Sequence, residues 1–197
     1  MSHTIHYPSF NVMKEKDAWD DHTQSIVIAR LTSALDYLFL TQQEAELLSV
    51  LCSILVDDST ADVLQYVISH IDQTLFSSIG ESQRKAGVPP EKELIRQGLL
   101  NLDHSAKNAF ALTFVELDRV MQKQLLQNIS EAKEPLSIWT GITQQAFFQK
   151  LLKLTIESYC SHPKIWSNIG YAGPAYPRGY IRTDIGQLDP WEARLEQ

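Results

Sequence analysis

Along most of this chain, apolar residues recur at spacings that mix three and four, the signature of a single buried face on an α-helix. Asp20 and Asp21 precede Ile26, Val27, Ile28, Leu31, Leu35 and Leu38, so the pattern predicts a first helix whose opening acids complement the helix dipole. Thr41 followed three residues later by Glu44 reads as a capping box, opening a second helix with Leu47, Leu48, Leu51, Ile54 and Leu55 on its stripe. That helix stops near Asp57 and Asp58. Ser59 or Thr60 caps a third, which carries Val63, Val67, Ile68, Ile71 and Leu75. Gly80 to Pro90 reads as a linker, and proline at a first helical position starts the next helix around Pro90 or Glu91, with Leu94, Ile95, Leu99 and Leu102 inward. Asn108 to Val115 reads as a connection. Asp118 caps a helix with Val120, Met121, Leu125, Leu126 and Ile129, and a break follows at Ala132 to Leu136. Thr143 then caps a long helix bearing Phe147, Phe148, Leu151, Leu152, Leu154 and Ile156.

No alternating strand pattern and no repeat interrupts this series. The expected fold is therefore all-α, a bundle of about six helices. It divides into an irregular leader over 1–18, a helical domain over 19–160 and a long irregular arm over 161–197. The arm departs from everything before it. Pro163, Pro174 and Pro177, with Gly170, Gly173 and Gly179, break helix repeatedly, so neither helix nor central strand is expected to run through it. Between the breakers stand Trp166, Tyr171, Tyr176 and Tyr180, and Trp191 follows.

A chain of 197 residues suits one domain with an arm, and 44% hydrophobic with 21% charged residues is an ordinary globular mix. The net charge of −7 removes nucleic acid and anionic membrane surfaces as natural partners, because both would repel it. No apolar run approaches the length of a membrane span. The two cysteines are Cys52, inside an apolar helix, and Cys160, at the end of the last helix; a disulfide between them is not readable from sequence, and two buried thiols are the expected state.

Catalytic apparatus is missing from the pattern. There is no glycine-rich dinucleotide fingerprint, no phosphate-binding loop, no nucleophile elbow and no Glu-x-x-His pair for a di-iron bundle. His3 and His6 have a ligand-like spacing but sit in the leader. His70 reads as a rim residue and His104 as a helix-end cap, and His162 reads as a cap placed just before Pro163. Asp57 and Asp58 read as a solvated helix junction. The arm is the exception: tyrosine, tryptophan and arginine are the residues interfaces favour. Arg178, between Pro177 and Gly179, is placed for a bidentate contact to a carboxylate or to carbonyls. The candidate partner-binding residues are Trp166, Tyr171, Pro174, Tyr176, Pro177, Arg178 and Tyr180.

The order Tyr159, Ser161, His162, Pro163, then Trp166, then Ile169, Gly170, Tyr171, Gly173, Pro174, Tyr176, Pro177, Arg178, Gly179, Tyr180 resembles the small subunit, subunit 3, of gluconate 2-dehydrogenase. The resemblance is strongest from Tyr159 to Tyr180, extends more weakly to Leu40–Leu48, and elsewhere rests on helix pattern alone. It implies a non-catalytic subunit without a cofactor of its own. That subunit would stabilise or chaperone a large FAD-bearing subunit of the glucose–methanol–choline type, with a cytochrome c subunit often completing the complex. Many members carry a twin-arginine export signal, and no such arginine pair stands near Met1. The resemblance thus leaves both a cytoplasmic and a co-exported form open. A stand-alone interaction or stress-response protein of the same fold is the rival reading.

Overall fold

The computed structural model describes residues 7–32, 36–77 and 87–195. His3, His6, Leu35 and the Gly80 end of the expected linker lie outside them. Among the described residues there is no strand. Seven α-helices follow one another: α1 (Asp21–Ala29), α2 (Gln42–Leu55), α3 (Ala61–Ser77), α4 (Glu91–Phe110), α5 (Arg119–Ser130), α6 (Gln144–Tyr159) and α7 (Pro163–Ile169). Among the same described residues two 3-10 helices, Val12–Ala18 and Phe114–Glu116, supplement them. The class is the expected one, with one α-helix more than the six anticipated. None of the helices is both long and apolar enough to cross a membrane.

Local caps set most of the helix starts. The Thr41 hydroxyl accepts from the Glu44 amide at 3.2 Å, and the Glu44 carboxylate accepts from the Thr41 amide at 2.8 Å, the reciprocal pair of a capping box. Asp118 accepts from the amides of Val120 and Met121, and Thr143 accepts from Ala146. α6 then runs through the middle of the bundle, against α3, α4 and α5, while α2 closes on α3. Gly98 on α4 makes the closest crossing. A Cβ there would fall 1.9 Å from the Phe147 ring, so the absent side chain lets α4 settle onto α6. Phe147, Leu48, Leu51, Ile71, Ile95, Leu102 and Leu151 are completely buried in the resulting core.

Three sequence-based expectations need correction. The first helix ends at Ala29 rather than near Leu38. The segment around Leu38 is taken instead by Asp72, a buried carboxylate on α3, which accepts from the amides of Leu38 at 2.7 Å, Phe39 at 2.9 Å and Leu40 at 2.8 Å. A carboxylate satisfying three amides is worth more than continuing a helix whose outer residues, such as Leu38, stay in water. Next, α4 continues to Phe110, so His104 is an exposed mid-helix residue and not a cap; the helix stops at Ala111, held in the left-handed region at φ 58. Finally, a helix does form beyond Tyr159. Pro163 occupies the first turn of α7, the one place where its missing N–H costs nothing.

Candidate functional site

α7 joins the bundle to the arm. The His162 ring accepts the Lys164 amide at its Nδ1, 3.1 Å away, so this residue is a cap as expected, but for the helix that begins there. Gly170 ends α7 in the left-handed region at φ +77, and the Tyr171 amide returns to the Trp166 carbonyl at 2.8 Å.

Trp166 points inward. Its indole N–H donates to the Cys160 carbonyl at 2.6 Å, the Tyr171 ring meets it edge-on with centroids 5.4 Å apart, and the Arg30 guanidinium lies 5.3 Å from its centre. With Val12, Trp19 and Val27 it forms a second small core, outside the main one. Val12 comes from the leader and Trp19 closes the leader's 3-10 helix as its C-terminal cap, so in the structure the leader runs to Trp19, one residue past the expected boundary. Asn11 caps the Val12–Ala18 turn by accepting from Met13, and the Val12 amide donates to the Ser167 hydroxyl of α7 at 3.1 Å. The leader thus has a fixed path, which the sequence pattern did not supply.

The seven candidate residues separate into two groups. Trp166 belongs to the second core, and Arg178 is also turned inward, with a side chain 9% exposed. One Arg178 nitrogen donates to the Ala172 carbonyl at 2.6 Å, and another faces Glu15 of the leader at 3.4 Å. The guanidinium sits 4.7 Å from the centre of the Trp191 ring. Burial lowers its pKa, and the Glu15 carboxylate opposes that shift. The carboxylate-and-carbonyl contact expected of Arg178 is therefore made within the chain. Pro174 is half-buried. Tyr171, Tyr176, Pro177 and Tyr180 face outward, with Tyr176 68% and Tyr180 62% exposed. Ile181, Ile185 and Leu188 continue this exposure along the arm.

The backbone beneath these side chains is held by groups that the sequence did not announce. Asp189, fully buried, accepts from the amides of Ile181 at 2.9 Å and Arg182 at 2.8 Å, and its own amide donates to Glu192. Gly173 takes φ +79, and a Cβ there would stand 2.5 Å from the Trp19 ring. The local hints lay near the start of the chain: the aromatics Tyr7, Phe10 and Trp19 and the acid Glu15.

A polar seam joins the two cores. Tyr66 on α3 lies between the rings of His70 and His162, at 5.7 and 5.0 Å, and its hydroxyl bonds to that of Ser161 at 2.8 Å. His70 Nδ1 bonds to the Ser158 hydroxyl at 2.9 Å. Such a contact is the pairing a nucleophile and its base require, but Ser158 is buried beyond reach of a substrate. Burial lowers the pKa of both histidines. Asp57 pairs with Lys123 at 3.6 Å, while Asp58 holds Thr60 and accepts the Tyr159 hydroxyl at 2.8 Å, which accounts for both carboxylates at the α2–α3 junction. Among the described residues no group of three His, Cys, Asp or Glu is placed to hold a metal ion. Cys52 is buried, as expected, whereas Cys160 is exposed, because α6 ends at the surface before the chain turns into α7. A cleft of about 480 Å³ opens between the leader and the bundle, lined by Phe10, Asn11, Lys14, Thr60, Lys164 and Asn168 among others.

Neither the curated proteins nor the solved structures contain a match to the chain. A family model does match, that of gluconate 2-dehydrogenase subunit 3, over residues 42–173. The matched stretch opens on α2, takes in α3 to α7 and Tyr171, and stops at Gly173, before Tyr176 and Tyr180. With more than half of its length so matched, the chain belongs to the gluconate 2-dehydrogenase subunit 3 family.

Proposed function

We propose that this chain is the non-catalytic small subunit of a flavin-dependent sugar or sugar-acid dehydrogenase complex, and that it stabilises or chaperones the large flavoprotein subunit. In this reading FAD is carried by a partner of the glucose–methanol–choline type, and this chain binds no cofactor. A cytochrome c subunit is a further candidate member of the complex. Membership of a family named for a dehydrogenase subunit supports the accessory role. The observation that carries the mode of association is the pairing of exposed Tyr176, Pro177 and Tyr180 with a backbone already fixed through Arg178 and Asp189. Aromatic side chains presented on ordered backbone lose little freedom on docking, so more of their contact energy reaches the complex.

The test is affinity purification of the tagged chain from its native cells, with flavin absorbance as the readout. The wild-type chain is expected to bring down a larger, flavin-bearing protein. The double variant Tyr176→Ala/Tyr180→Ala is expected to lose at least about tenfold of that capture, as hot-spot aromatics do. Equal capture by both chains would sink the arm-docking mode. A colourless, solitary wild-type chain would sink the subunit reading in favour of a stand-alone interaction protein.

A further inference from the structure

The leader touches the arm at its base and its middle. The Tyr7 ring lies against Gly170, so closely that a Cβ on that glycine would sit 2.6 Å from the ring and 2.9 Å from Ala193 near the end of the arm. Trp19 lies beneath Gly173 in the same way. Glu15 faces Arg178, and the Val12 amide is bonded to Ser167 at the foot of the arm. Both glycines have positive φ and both pack too closely against an aromatic ring of the leader to admit a Cβ, so the arm's backbone is fitted to that surface. Beyond α7, the arm's own bonds among the described residues span short distances in sequence: Tyr171 to Trp166, Arg178 to Ala172, Gly179 to Ala175, Gln187 to Asp184, and the Asp189 and Glu192 contacts around residues 181–192. Without the leader, Trp166 would lose two of the three other members of its core.

We propose that the leader is a clasp for the arm: the face bearing Tyr176 and Tyr180 exists as a fixed surface only while residues 7–19 are folded onto α7 and the arm. The partner clause of this inference rests on the arm-docking reading above. A surface built from residues 7–19 and from the arm cannot form until these two distant stretches have met. Association through it therefore reports a subunit in which both have folded together. Energetically, an arm released from the clasp spends only part of its time in the docking conformation, and affinity falls by that fraction.

The experiment is hydrogen exchange on the full-length chain, comparing wild type with Trp19→Ala and, from the other side of the contact, Gly173→Val. Peptides spanning 174–195 are expected to exchange at least about tenfold faster in both variants, while α3, α4 and α6 keep their wild-type protection. Wild-type exchange in the arm of both variants would overturn the clasp. So would equal loosening of arm and bundle in both, since the leader would then be supporting the whole fold instead of the arm. Capture of the flavin-bearing protein separates the two proposals. If Trp19→Ala loosens the arm yet captures normally while Tyr176→Ala/Tyr180→Ala does not, the dependence of docking on the clasp is overturned and arm docking stands. If neither variant alters capture, arm docking falls, and the exchange result alone decides the clasp.

Discussion

The bundle of α2 to α6 and the layer formed by the two chain ends are built on opposite principles. The bundle buries apolar side chains from α2 to α6 in one continuous core, which Ile165 of α7 also joins. The end layer has a core cluster of four buried residues, Val12, Trp19, Val27 and Trp166, drawn from segments some 150 positions apart, and also buries Ala172 and Ala193. It relies on single contacts: an indole to a carbonyl, a guanidinium between a carbonyl and a carboxylate, two glycines pressed on rings. Among the described residues the buried side-chain atoms without a hydrogen-bond partner gather in this layer, at Trp19 Nε1, Arg178 Nε and Asp189 Oδ2, with Asn101 the bundle's example. Unsatisfied buried groups lower local stability. Cooperative strength thus resides in the bundle, and the end layer is the part able to open without unfolding the rest.

Phe147→Ala should break the bundle most severely. Phe147 is fully buried and fills the space above Gly98, so truncation should cost about 3–5 kcal/mol in urea unfolding, with arm and bundle lost together. Asp72→Ala comes next. It leaves the amides of Leu38, Phe39 and Leu40 without their acceptor, a loss of roughly 1–3 kcal/mol measurable by the same titration. A smaller effect is expected from acid at the seam between the regions. His70 and His162 have folded-state pKa values below the ordinary 6.5, chiefly because burial disfavours the charged ring. The unfolded chain therefore takes up protons first, and the stability these residues contribute is complete above 6.5 and declines as pH falls from there through the folded values. Replacing both with Gln should flatten that part of the stability–pH curve; an unchanged slope would remove them as its source. Tyr176→Ala/Tyr180→Ala should have the least effect on folding, within about 0.5 kcal/mol of wild type, because both rings are in water.

The contrast also explains what was legible in the sequence. Thr41 with Glu44, Asp118 and Thr143 act on amides within three residues, so their spacing alone located three helix starts. The bundle core was equally visible, as periodic stripes. The early end of α1 was not, because Leu31, Leu35 and Leu38 keep helical spacing while the acceptor that diverts the chain, Asp72, lies more than thirty residues away. Reading Pro163 only as a breaker concealed α7. At the candidate site, residue type singled out Tyr176, Pro177 and Tyr180, which the structure turns outward. It could not distinguish them from Trp166 and Arg178, whose burial depends on Val12, Glu15 and Trp19 from the far end of the chain.

The two cysteines turn this architecture into something that can be watched. Cys52 is sealed in the bundle beside Thr155 at 3.3 Å, and burial pushes its thiol pKa up to about 12, so it resists alkylation while the bundle is folded. Cys160 is exposed, and its carbonyl is the acceptor for the Trp166 indole. The unmodified protein therefore offers a maleimide dye one attachment point, next to an intrinsic tryptophan donor at the hinge of the arm. Energy transfer between the two would record the opening of the chain-end layer, and late labelling at Cys52 would record the opening of the bundle, as separate clocks in one molecule.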